Sequence, residues 1–288
     1  GVLIALCGAI RPLGDLIARI PDAVAAAMLA GVLLPFCLAG AGAAAGAPAL
    51  VLPMVAVFVA VRLWNPALAV LAALVCGVAL AFGSGAALWP DLPRGLPDLV
   101  FVAPEFRLSV LIGLGLPLFL VTMASQNLPG FAVLRAAGYA PPVRPALLVT
   151  GGLSALSALA GAHTHNMAAI TAAICLGDEV HPDKSRRWVV GLAYAGFWVA
   201  LGLMGPVIAA LLGALPPQVM VALVALALLG ALTGSLAGAF VRPEARFAAV
   251  LTLVVTGSGV AAFGIGAAFW GLMAGLGALA VERLRRAG

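Results

Sequence analysis

Between Arg187 and Arg242 the chain runs for 54 residues without one charged side chain, and five further intervals of 27 to 39 uncharged residues accompany it. Water-soluble domains carry about 25% charged residues; here 9% are charged and 64% hydrophobic. A helix needs roughly 20 apolar residues to cross about 30 Å of hydrocarbon, so each interval suits one or two crossings. Alternation at period two, which a membrane barrel requires, is absent. The pattern predicts an all-α polytopic membrane protein. Helices are expected at 23–40, 50–61, 66–82, 108–134, 145–160, 164–176, 188–213, 218–240, 247–262 and 266–284. The apolar stretch 1–10 is too short to span and reads as the tail of a helix whose start is missing, rather than as a signal peptide.

If these helices alternate in direction, one side collects thirteen basic residues, from Arg11 and Arg19 to Arg285 and Arg286, whereas the other holds Arg94 and Arg107. By the positive-inside rule the crowded side and the C-terminus are cytoplasmic. Topology thus accounts for the net charge of +5, and no basic cluster is dense enough for a nucleic-acid surface. Cys7, Cys37, Cys76 and Cys175 lie in apolar segments at wide spacings and read as packing residues.

The segment Ile20-Pro21-Asp22-Ala23-Val24, followed by a long apolar helix, matches Leu215-Pro216-Pro217-Gln218-Val219 at an offset of 195 residues. The same offset lays the helix pair in 50–82 over the pair in 247–280. The two copies start on opposite sides by the charge count, so the repeats are inverted. Inverted repeats with a midplane site and broken helices are the usual construction of secondary transporters.

Polar side chains at membrane depth are costly and mark function. Two clusters qualify: Ser125-Gln126-Asn127 before Pro129-Gly130, and His163-Thr164-His165-Asn166 after Gly161. The second lies in 33 uncharged residues, too many for one helix and few for two. We expect a helix ending near Ala160 and a half-helix starting at Thr164, whose free N–H groups would favour an anion. Thr164 would cap it. On that helix His163 and Asn166 share a face and His165 points elsewhere. A lone buried His or Asn more often serves helix packing, but three strong hydrogen-bonding side chains beside a helix break favour substrate contact. Ser154 and Ser157 read as packing residues of a glycine-rich face, and His181-Pro182-Asp183-Lys184 as a solvated connector. No carboxylate lies in a helix core as placed, so His163 or His165 is the candidate for proton coupling.

The stretch from Gly161 to Cys175, continuing through Gly177-Asp178-Glu179-Val180-His181-Pro182-Asp183, resembles the bacterial benzoate:proton symporter family BenE. The segments from Met123 to Phe131 and from Ile20 to Val32 are similar to that family too. The resemblance implies fourteen helices in two inverted seven-helix repeats, an arrangement shared with nucleobase and sulfate-type carriers and divided into core and gate domains. Facing half-helices, the third and tenth, would surround the substrate. On that frame 1–107 is the remainder of the first repeat, lacking three to four N-terminal helices, and 108–288 is the second. The core covers about 108–187, and the gate covers 11–82 and parts of 188–284.

The expectation is proton-coupled uptake of benzoate or a similar aromatic carboxylate, with Gln126, Asn127, His163, Thr164 and Asn166 at the substrate and no cofactor. Phe131 and Met167 could bound the ring, although packing is the readier role for each. Another anion or a nucleobase of the same superfamily is the alternative substrate. An intramembrane metalloenzyme built on His163 and His165 lacks a third ligand at depth, and a channel fits inverted repeats less well. Oligomeric state is open, a homodimer included.

Overall fold

The computed structural model describes residues 1–10, 21–168, 175–176, 180–263 and 265–287. Regular structure among them is helical. The helices are α1 (Val2–Ala9), α2 (Asp22–Gly46), α3 (Pro48–Trp64), α4 (Ala69–Gly83), the rod α5 over 108–136, α6 (Val143–Ser157), α7 (Val189–Leu203), α8 (Gly205–Gly213), α9 (Pro217–Phe240), α10 (Arg246–Gly257) and α11 (Ala267–Ala287). Among the described residues four spans are long and apolar enough to cross a membrane singly: Asp22–Gly46, Val143–Ala160, Pro217–Phe240 and Ala267–Arg285. Shorter apolar helices, Pro48–Trp64, Ala69–Gly83 and Leu108–Thr122, fill several of the other expected places.

Where the expected helices differ from the observed ones, proline and glycine supply the reason. The single helix expected over 188–213 is two, bent by 58° between Leu203 and Gly205. Pro206 stands in the first turn of α8, where its missing N–H costs nothing, whereas a continuous helix would lose a bond and clash with the carbonyl four residues back.

The rod α5 is continuously helical from 108 to 136 but opens into π-turns at Leu111–Gly115 and Met123–Asn127. Each π-turn is followed by Leu-Pro-x-Phe, at Leu116-Pro117-Leu118-Phe119 and Leu128-Pro129-Gly130-Phe131. A proline has no N–H to donate into the ladder, and a wider turn just before it accommodates the gap. Both phenylalanines are buried, and Phe131 packs with Ile4, Cys7, Met123 and Leu147 in a core that joins α1, α5 and α6.

Two compact units emerge. The first comprises 1–31, 98–198 and 237–288, and the second comprises 32–97 and 199–236. In the second, Val51, Met54 and Phe58 of α3 pack with Val219, Ala222 and Leu226 of α9. In the first, α1 lies close on α6 because glycine permits it: a Cβ on Gly8 would stand 3.0 Å from Arg144 O and from Leu147 Cβ. Also in the first unit, α10 and α11 form an antiparallel pair. Gly271 and Gly275 there receive the side chains of Thr256 and Thr252.

Candidate functional site

Helix α6 ends where expected, after a 3-10 turn at Ala158–Ala160. Gly161 adopts φ 71°, ψ 13°. Its N–H reaches Ala158 O at 2.9 Å, while Ala162 N–H reaches Ser157 O at 3.0 Å. This pair of bonds is the Schellman closure, which wants glycine at the left-handed position.

The half-helix expected from Thr164 does not begin there. Residues 162–168 carry no helical structure, so Thr164 caps no helix at that position, and the helical face-sharing of His163 with Asn166 does not apply. Of the remainder of the expected helix, 169–174 lie outside the described residues, and Cys175 near its expected end is helical.

What replaces the helical ladder is a set of side chains from two neighbouring helices. A buried main-chain N–H needs a partner, and two in this segment find one across the fold. The His165 N–H donates to Ser154 Oγ at 2.8 Å, and the Met167 N–H donates to Asn127 Oδ1 at 2.9 Å. Asn127 sits in the second π-turn of α5 and is 0% exposed. Its amide nitrogen points to Met123 Sδ at 3.3 Å. Gly130, one turn on, leaves the room this approach requires: a Cβ there would stand 2.8 Å from Met167 Cβ and 2.9 Å from Ala168 O.

The remaining candidates divide by exposure. His163 is exposed, with Nδ1 3.1 Å from Thr164 O. His165 is exposed as well, and its Nε2 lies 3.0 Å from Ser157 Oγ. Gln126, Thr164 and Asn166 are half-buried. Phe131 is core, and Met167 packs against that same core. The Ser125 side chain lies outside what is described. The structure therefore brings Asn127 against the chain just after the His-Thr-His-Asn residues, and adds Ser154 and Ser157, expected as packing residues, against His165. Their signal was spacing: at i and i+3 on α6 they share a face next to the break.

Arg187 is a further residue that charge counting passed over. It is 5% exposed. Its guanidinium donates to His181 O at 2.7 Å, to Pro182 O at 3.5 Å and to Leu176 O. The planar fork thereby ties the connector 180–187 to the chain at Leu176, a task suited to arginine's several fixed donors. In the connector, hydrogen bonds from the Ser185 hydroxyl and N–H hold the Asp183 carboxyl below its ordinary range. Beside it a cleft of about 460 Å³ opens, lined by Leu134, Tyr139, Ala168, Lys184, Trp188 and Tyr194 among others.

Residues 1–281 match the family described as benzoate membrane transport protein, BenE. The Inner membrane protein YdcO of Escherichia coli (strain K12) is 40% identical over 273 residues, which cover 95% of this chain and 70% of that protein. The Benzoate membrane transport protein of Acinetobacter baylyi is 34% identical over 275 residues, covering 96% and 70%. No solved structure matches. With a family match along almost its whole length and relatives above 30% identity, the chain belongs to the BenE family of membrane transport proteins.

Proposed function

We propose that this chain works in the inner membrane as a secondary transporter that takes up benzoate or a related aromatic carboxylate together with a proton. The observation that carries the reading is the non-helical segment 162–168, held at a helix break by polar side chains in a chain of this family. In this reading the carboxylate accepts hydrogen bonds from Gln126, Thr164 and Asn166. Asn127, whose carbonyl oxygen holds the Met167 N–H, acts on the substrate through the chain it fixes. His163 or His165 carries the proton, imidazole being a side chain that both takes up and releases one.

Alternating access follows from two inverted repeats, 1–107 and 108–288, with a core at about 108–187 moving against a gate formed by 11–82 and parts of 188–284. The offset of 195 residues between the Ile20 and Leu215 segments supports the repeat, and the segregation of basic residues supports a cytoplasmic C-terminus.

Labelled benzoate uptake into proteoliposomes of the full-length protein tests the reading. An inward proton gradient should raise initial uptake severalfold, and uptake indifferent to the gradient would overturn symport. His163→Gln and His165→Gln are expected to separate the coupling residue. The variant that loses gradient-driven uptake while retaining benzoate exchange identifies it, and full gradient dependence in both removes histidine from the mechanism.

A further inference from the structure

We propose that Ser154 and Ser157 are positioning residues for the benzoate site, an inference that rests on the reading above. Ser154 holds the main chain of His165, and Ser157 holds its ring.

The ordinary fate of a serine or threonine inside a helix is a bond back to the carbonyl four residues earlier. Ser235 does this with Ala231 at 2.7 Å and Thr150 with Ala146 at 2.8 Å. Ser154 also lies 2.7 Å from its own such carbonyl, Thr150 O. It differs in what its oxygen receives, for the His165 N–H, eleven residues on, donates to it at 2.8 Å. The His165 carbonyl is 3.1 Å away as well. One hydroxyl proton serves one carbonyl at a time, so Ser154 can release His165 O toward another donor while still accepting from His165 N–H. Packing alone would ask for neither contact.

Three residues later on the same face, Ser157 Oγ meets His165 Nε2 at 3.0 Å. The two serines therefore fix backbone and imidazole of one residue from one helix face. Asn127 fixes Met167 from the other side chain set, on α5. Between these anchors lies Asn166, and just before them Thr164, the half-buried donors assigned to the carboxylate. Loosening His165 would move both, while α6 itself would keep its ladder.

Hydrogen–deuterium exchange and benzoate binding on the full-length protein in nanodiscs decide the matter. Ser154→Ala should speed exchange across 162–168 by about tenfold, the effect of one lost hydrogen bond, and weaken benzoate binding by a similar factor, with exchange along 143–153 unchanged. Ser235→Ala, which removes an ordinary back-bond, should change neither. Ser157→Ala should weaken binding, and Ser157→Thr, which keeps the hydroxyl, should restore it. Unaltered exchange at 162–168 in Ser154→Ala, or acceleration spread evenly over α6, overturns the role of Ser154. Wild-type binding by Ser157→Ala overturns that of Ser157. If the wild-type protein binds no benzoate, the substrate reading fails, and the exchange contrast between Ser154→Ala and Ser235→Ala still judges the positioning of His165.

Discussion

Asn127 Oδ1 accepts the main-chain N–H of Met167 at 2.9 Å, linking residues 40 positions apart. The bond is fully buried on the asparagine side, and the segment it holds has no ladder of its own. Removing the acceptor leaves a main-chain donor without a partner, which costs about 1–3 kcal/mol. Asn127→Ala should therefore lower the thermal midpoint of the full-length protein and abolish benzoate uptake. Met123→Leu, which removes only the thioether facing the amide nitrogen, is a near-isosteric apolar exchange and should cost under about 1.5 kcal/mol. Unfolding followed by intrinsic fluorescence compares the two, and equal losses would show that the Met167 bond contributes nothing special.

Gly130 tests the same contact from the steric side. A Cβ at this position would stand 2.8 Å from Met167 Cβ and 2.9 Å from Ala168 O, and neither neighbour is the free end of a flexible chain. Gly130→Ala must push residues 167–168 away from α5. Overpacking of this kind costs about 1–3 kcal/mol, and uptake should fall at least as far as in Asn127→Ala. Gly152→Ala, where the space is open, should transport normally. Equal uptake by Gly130→Ala and Gly152→Ala would contradict the close approach.

How far the sequence revealed this arrangement can be judged residue by residue. The end of α6 was legible because Gly161 is the chemical requirement of its closure, whereas Asn127 stood out as an amide in an apolar stretch and its bond to the Met167 N–H did not. The course of the chain after Gly161 was not. A helix start and a non-helical segment pinned by side chains share the same small polar residues, and the choice depends on Ser154 and Asn127 arriving from elsewhere in the fold. The bend before Pro206 was visible in Gly205-Pro206, yet hydropathy alone runs smoothly through it. Arg187 was hidden for a different reason: charge counting treats every arginine as a topological marker and says nothing about burial.

Arg187 collects carbonyls of Leu176, His181 and Pro182 from a position that is 5% exposed. Bonds from a charged donor contribute about 1.5–3 kcal/mol, and a lysine ammonium cannot reproduce the planar fork. Arg187→Lys should destabilise the protein by about 2 kcal/mol or more on that basis. Its neighbour Arg186 pairs with Asp183 at 3.8 Å across an exposed surface, and such solvent-screened pairs contribute little. Thermal unfolding of Arg187→Lys beside Arg186→Ala should show the larger drop in the conservative exchange. The opposite order would mean that the buried guanidinium is not what secures the connector.

Thr252 and Thr256 occupy the same face of α10, one turn apart, and both are buried against glycines of α11. Their hydroxyls differ. Thr252 Oγ1 donates to Ala248 O at 2.8 Å, whereas Thr256 Oγ1 has no partner among the described residues. Valine keeps the shape of threonine and removes the polar atom. At Thr252 the exchange forfeits a made bond and should cost about 0.5–1.5 kcal/mol. At Thr256 it removes a hydroxyl that loses its water without compensation, and it should be neutral or stabilising by up to about 1–3 kcal/mol. Opposite shifts of the thermal midpoint in Thr252→Val and Thr256→Val are the expected result, and a drop in both would place an unrecognised acceptor beside Thr256.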